Sequence, residues 1–279
     1  MSGTTSVEAW SGKDRADENF PVGSALIRPA LRRHVHAFYA FARNADDIAD
    51  SAVLAAEDKV FRLDAMEAVL LGEAGDENAP SAARLRASLA ETGVSERHSR
   101  DLLVAFRRDA TKRRYASWDE LLDYCRYSAM PVGRHVLDLH GEDKATHAPS
   151  DALCSALQVL NHLQDCQADF SALDRSYLPE DLLAENGANV ADVTRAAASP
   201  GLRRVFDALL GRVEALNVLA VELPRRTRSR RLRLETAVIV GLSRRLAARL
   251  RREDPIAGRV KLRRTDFAAS AFSAIRFLP

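Results

Sequence analysis

The chain has 279 residues, a formal net charge of +2, 47% hydrophobic and 29% charged residues. It therefore has material for a sizeable core and lacks the global charge of a nucleic-acid-binding polyelectrolyte. Cys125, Cys154 and Cys166 show no metal-ligand spacing and read as small apolar residues in a reducing compartment. Met1 to Phe20 is polar, without the apolar core of a signal peptide, and no run approaches the roughly 20 apolar residues of a membrane span. The expected location is the cytoplasm, compatible with peripheral contact at the inner face of a membrane.

Residues 1–18 read as a mobile polar segment, and Glu18-Asn19-Phe20-Pro21 opens a single domain over 19–279. Pro29 suits a first helical turn, and the apolar spacing from there to Ser51 fits one long helix. That helix carries Tyr39, Arg43, Asp46, Asp47 and Asp50 along one side. Carboxylates four residues apart repel, and a divalent cation removes the penalty. Mg²⁺ takes one or two carboxylates together with substrate phosphates, and an arginine grips a phosphate with parallel hydrogen bonds. Alone, this cluster reads equally well as a solvated acidic face.

A helix is expected near 55–71, then a surface connection from Gly72 to Pro80 and amphipathic helices over 81–91 and 95–110, with Ser95 as an N-cap. Arg107-Arg108-Asp109 and Lys112-Arg113-Arg114 read as solvated charge runs. Ser117-Trp118-Asp119-Glu120 has the form of a capping box and opens a helix from Leu121 to Gly133. Tyr124 and Tyr127 lie one turn apart on it. Pro131 should kink it near Tyr127, and Gly133 permits close approach. A kinked helix lined by tyrosines can accommodate a cationic intermediate; ordinary boundary tyrosines are the plainer reading.

The next helix, about Ser150 to Phe170, repeats the aspartate pair: Gln158, Asn161, Asp165 and Asp169 form a polar stripe at helical spacing. The expectation is that the two aspartate helices face one cavity and clamp a diphosphate between metal ions. Arg175 and Tyr177 follow in a turn and would order around the phosphates. Long helices are expected over 201–223 and 228–251. The second is arginine-rich, which suits a solvated face or attraction to anionic lipid headgroups; the absence of interleaved aromatics argues against nucleic acid. A last helix ends near Phe277. No stretch alternates like a strand, so the fold class is all-α. His34, His36, His98, His135 and His140 show no ligand pattern and read as surface or hydrogen-bonded residues.

Asp46-Asp47-Ile48-Ala49-Asp50, Tyr124-Cys125-Arg126-Tyr127 and Asn161-His162-Leu163-Gln164-Asp165-Cys166-Gln167-Ala168-Asp169 occur in the order and spacing of the squalene/phytoene synthase family, which the chain resembles over about residues 18–270. The resemblance implies an isoprenoid synthase helical bundle around a central cavity. It implies Mg²⁺ on the aspartate motifs, with Asp46, Asp47, Asp50, Asn161, Asp165 and Asp169 as metal ligands. The substrate would be an isoprenyl diphosphate, with Arg43, Gln158 and Arg259 matching residues beside it; Tyr127, Asn161, Gln164, Arg175 and Tyr177 complete the candidate substrate-binding set read from their place in the chain. Tyr124 matches a cavity tyrosine implicated in the chemistry, together with Asp46, Asp50, Asp165 and Asp169. Gln164 stands where the family commonly has arginine, and Leu242 where some members place a tyrosine.

Glu-Asn-Phe-Pro together with Asn-His-Leu-Gln-Asp-Cys is similar to a bacterial subfamily of hopanoid gene clusters, the hydroxysqualene synthases. That implies conversion of presqualene diphosphate to hydroxysqualene by ionisation, rearrangement and water capture, beside partner enzymes that supply the substrate and reduce the product. Gln164 would then weaken a second diphosphate site or hold the water. The alternatives are head-to-head prenyl transfer, giving presqualene diphosphate, squalene or phytoene, and a non-catalytic helical assembly factor. No Gly-rich nucleotide fingerprint accompanies these motifs.

Overall fold

The computed structural model describes residues 6–8 and 27–277. The expected domain start at Glu18–Pro21 and most of the expected mobile segment 1–18 lie outside these residues. Residues 6–8 are tied down: Val7 N–H donates to the Asn78 carbonyl (2.9 Å), and Ser81 N–H donates to Glu8 (2.6 Å). The chain divides into two compact units, Met1–Lys112 with Arg134–Gly141, and Arg113–Gly133 with Glu142–Pro279. All regular structure among the described residues is helical.

The first unit is built on α1 (Pro29–Ala49), α2 (Ala56–Leu71), α3 (Pro80–Thr92) and α4 (Arg97–Thr111). Proline occupies the first turn of α1 and of α3, where its missing N–H costs nothing. On α1, Val35, Phe38, Phe41, Ala45 and Ile48 recur at helical spacing and are buried. They pack with Leu63, Met66, Leu85 and Leu103 into one apolar cluster. The α2 helix stops at Gly72, in the left-handed region at φ +79°. Lys59 is buried on α2 and donates to the Ala49 carbonyl (2.9 Å), closing the end of α1. The expected cap of α4 falls one residue late: Glu96 is the boundary residue, and Ser95 Oγ instead accepts the Arg97 N–H (3.2 Å) from outside the helix.

The second unit begins with α5 (Trp118–Ser128). Ser117 Oγ accepts the Glu120 N–H (3.3 Å), while Glu120 reaches past Ser117 to the Ala116 N–H (2.6 Å). The expected continuous kinked helix is two helices. Ala129 leaves helical geometry at φ −123°, and α6 (Met130–Leu139) restarts beside it. Pro131 then sits in a first turn, so the chain breaks before it rather than bending around it. A side chain at Gly133 would collide with Ser150 and Cys154, which fixes glycine where α6 starts against α7 (His147–Leu173). Then come α8 (Glu180–Glu185), α9 (Pro200–Ala220), α10 (Glu222–Arg226), α11 (Arg230–Leu250) and α12 (Arg264–Ala274). Within this unit α7 packs on α9, and α11 packs on α7, α9 and α12. Leu242 is fully buried on α11.

Candidate active site

The first acidic motif lies on the half-exposed side of α1. Tyr39, Arg43 and Asp46 are partly buried and Asp50 is exposed, while Asp47 is turned inward. Arg43 holds two of these acids: Nε and Nη2 donate to Asp47 Oδ1 (3.0 and 2.7 Å), and Nη1 lies 3.1 Å from Asp46 Oδ2. Burial first, and then the charge of Asp50, push the Asp46 carboxyl well above the usual carboxylate range, against the pull of Arg43. Asp109, buried on α4, adds to the same negative field. The sequence placed Asp109 in a solvated charge run, and nothing in its local pattern signalled that it faces α1.

The second motif occupies a stripe of α7. Gln158, Asn161, Asp165 and Asp169 are all half-exposed, and Val159, Leu160, His162, Leu163 and Cys166 between them are buried. Asp165 is gripped by Arg259 through Nε–Oδ1 (2.9 Å) and Nη2–Oδ2 (3.0 Å), a fork-on-carboxylate contact across 94 residues. Gln164 is not on this stripe. It is buried and donates its side-chain N–H to the Val260 carbonyl (2.5 Å), so it holds the backbone that carries Arg259 instead of presenting its amide to a substrate.

Beside this stripe Tyr115, Tyr124, Tyr177 and His162 form one aromatic cluster. His162 stacks on Tyr177 with ring centroids 3.6 Å apart, and Tyr124 lies 5.3 Å from both Tyr115 and Tyr177. The Tyr124 and Tyr177 hydroxyls are 3.4 Å apart, and buried Arg175 donates to the Tyr177 hydroxyl (3.4 Å). Burial, reinforced by the Arg175 charge, lowers the His162 pKa to about 3, so its ring stays neutral. Tyr127, by contrast, is half-exposed. Burial pushes the Cys125 and Cys166 thiols up to about 12, as expected of inert core cysteines.

Among the described residues no three His, Cys, Asp or Glu side chains converge as a ready metal-ligand set. The donors present are hard oxygens, and Asp46 and Asp50 repel one another. Hard oxygen donors of this kind fit a hard divalent cation such as Mg²⁺.

The squalene/phytoene synthase sequence profile matches residues 13–266. The chain belongs to the squalene/phytoene synthase family. It is 46% identical to a hydroxysqualene synthase of Rhodopseudomonas palustris over 272 residues, covering 98% of this chain and 92% of that protein. A hydroxysqualene synthase of Zymomonas mobilis is 42% identical over 266 residues, 95% and 89% of the two chains. The crystal structure of the squalene synthase HpnC from Alicyclobacillus acidocaldarius superposes with a TM-score of 0.74 at 34% identity, covering 85% of this chain and 90% of that one. The all-helical chain thus has the isoprenoid synthase fold, as its resemblance implied.

Proposed function

We propose that this enzyme converts presqualene diphosphate and water into hydroxysqualene and diphosphate. The reading is carried by the 46% identity to a hydroxysqualene synthase along nearly the whole chain. Asp46, Asp50, Asn161, Asp165 and Asp169 are the residues that would hold Mg²⁺. When bound, the metal would neutralise the charge that develops on the departing diphosphate. Asp47, expected among the ligands, is assigned to Arg43: its Oδ1 already accepts two of that guanidinium's N–H groups. Arg43 and Arg259 exchange their carboxylate contacts for phosphate oxygens, where the planar fork fits equally well. Gln158, Arg175 and Tyr177 complete the substrate-binding set.

The departing diphosphate leaves a cyclopropylcarbinyl cation, which rearranges to an allylic cation. The π faces of Tyr124 and Tyr177 stabilise that charge, and Tyr124 orients the water that captures it. The water's second proton leaves with the diphosphate or the solvent. Tyr127, half-exposed one turn after Tyr124 on α5, is assigned to the substrate-binding set. Substrate and product of this kind partition into lipid, so the same reading places the enzyme at a membrane surface. Among the described residues no helix is long and apolar enough to cross a membrane.

The test is product analysis of purified protein with presqualene diphosphate and Mg²⁺, with and without NADPH. Hydroxysqualene in equal yield from both supports the reading. Efficient formation of presqualene diphosphate from farnesyl diphosphate, or return of presqualene diphosphate unchanged, replaces it with the condensing reading.

A further inference from the structure

In the second unit α9, α11 and α12 enclose an open groove of about 430 Å³ that none of the motifs above uses. Val221 and Val240 line it together with Arg244, Arg245 and Arg276. On α11 the positions Ala237, Gly241, Arg244 and Ala248 recur at three- and four-residue steps, so one face of that helix sets Arg244 among small residues. Glu214, the acid that lines the groove, lies 3.9 Å from Arg244 in an exposed pair worth little, and Asp266 on α12 feels the Arg245 charge. Ser270 lines the groove, is 1% exposed, and its buried Oγ has no hydrogen-bond partner.

Large apolar side chains flank the rim in solvent. Val218 on α9 is 64% exposed, and Phe272 on α12 is 78% exposed. Leu219, the residue after Val218, and Ile275, three residues after Phe272, are exposed as well. Val218 lies four residues after Glu214 and three before Val221, so it shares their helix face; Phe272 lies one turn before Arg276.

We infer that this groove and its apolar flanks dock the enzyme on an anionic phospholipid surface, with a lipid phosphate held by Arg244, Arg245 and Arg276 and the flanking side chains inserted among the acyl chains. A soluble phosphate would satisfy the arginines but would leave Val218, Leu219, Phe272 and Ile275 in water. Only a ligand with both an anionic head and an apolar body accounts for the two features together. The inference deepens the membrane-surface reading above by naming the face and the lipid class.

The experiment is cosedimentation of the full chain with vesicles of phosphatidylcholine alone and of phosphatidylcholine mixed with phosphatidylglycerol. Binding should be confined to the anionic vesicles and should weaken with salt. Arg244→Glu with Arg276→Glu, and separately Phe272→Ser with Ile275→Ser, should each weaken it by about tenfold or more. Helix content by circular dichroism and turnover of presqualene diphosphate in detergent micelles should stay unchanged. Unaltered binding of both double variants overturns the groove assignment and moves the contact to another face. No binding of wild type to either vesicle overturns the groove and the membrane reading together. Competition by inorganic phosphate or by duplex DNA at equal ionic strength, where sodium chloride has no such effect, overturns the lipid in favour of a soluble anion or nucleic acid.

Discussion

At the scale of single residues, Gln164 decides how Arg259 is presented. Its amide supports the Val260 carbonyl from the residue preceding Asp165, while Asp165 receives the Arg259 guanidinium. One turn of α7 therefore fixes both the backbone and the side chain of the Arg259–Val260 pair. Gln164→Leu leaves a buried carbonyl unpaired, a cost of about 1–3 kcal/mol, and releases the segment. Calorimetry should show inorganic diphosphate with Mg²⁺ binding about tenfold more weakly to this variant, with a lowered melting temperature. Arg259→Gln should weaken diphosphate to a similar degree with little effect on melting, because the Arg259–Asp165 pair is largely exposed. Equal diphosphate affinity in wild type and Gln164→Leu would reduce Gln164 to packing. The stripe Gln158, Asn161, Asp165, Asp169 was legible in the sequence because helical spacing alone puts those residues on one face. The Gln164 contact was not, because its partner lies 96 positions away and is a backbone atom with no sequence signature. For the acidic motifs, Asp46→Asn or Asp165→Asn should keep the helical signal and lower turnover at least about a hundredfold, beyond what losing a group that merely orients a metal ligand costs. Full activity after chelation with EDTA would remove the metal role. Tyr124→Phe should lower kcat more than it raises KM, since the hydroxyl is lost while the ring and its stacking remain; unchanged kinetics would make Tyr124 structural.

At the scale of elements, the periodic helices were readable and their joints less so. The runs of α1, α2, α9 and α11 follow from apolar spacing, with Pro29 marking the start of α1 and Gly72 the stop of α2, while α9 ends at Ala220 instead of the expected 223. The α5–α6 break was expected as a kink because Pro131 is compatible with either outcome. What decides it is Ala129, which leaves helical geometry where Gly133 brings α6 close to Ser150 and Cys154, a tertiary condition. Gly133→Ala should therefore destabilise the protein by roughly 1–3 kcal/mol through overpacking, measured by chemical denaturation. A change within about 0.5 kcal/mol would mean that α7 yields freely there. The short helices α8 and α10 escaped the sequence reading because five or six residues carry too little periodicity to register.

At the scale of the whole molecule, acid should destabilise the protein earlier than its carboxylates alone would dictate, because each compact unit contains a buried histidine held neutral by its surroundings. In the first unit His135 is 1% exposed, stacks on Phe38 at 3.9 Å between centroids, and has no hydrogen-bond partner at either ring nitrogen. The sequence had placed it among surface or hydrogen-bonded histidines; burial and the proximity of His98 lower its pKa from 6.5 to about 3, against a pull upward from Asp138 and with His34 adding to the shift. In the second unit burial and Arg175 do the same to His162. Between about pH 6.5 and pH 3 the unfolded chain binds these protons and the folded chain does not. Stability is therefore unaffected by either group above the unfolded value and falls as the pH drops through that window, by about 1.4 kcal/mol per pH unit for each histidine. Denaturant titrations at pH 7 and at pH 5 should show the loss. His135→Leu, which removes a titrating ring that makes no hydrogen bond, should lower the slope for the first unit by that amount, whatever it does to stability at pH 7. Wild type and His135→Leu sharing the same pH dependence would mean that His135 is protonated in the folded protein, contrary to its surroundings.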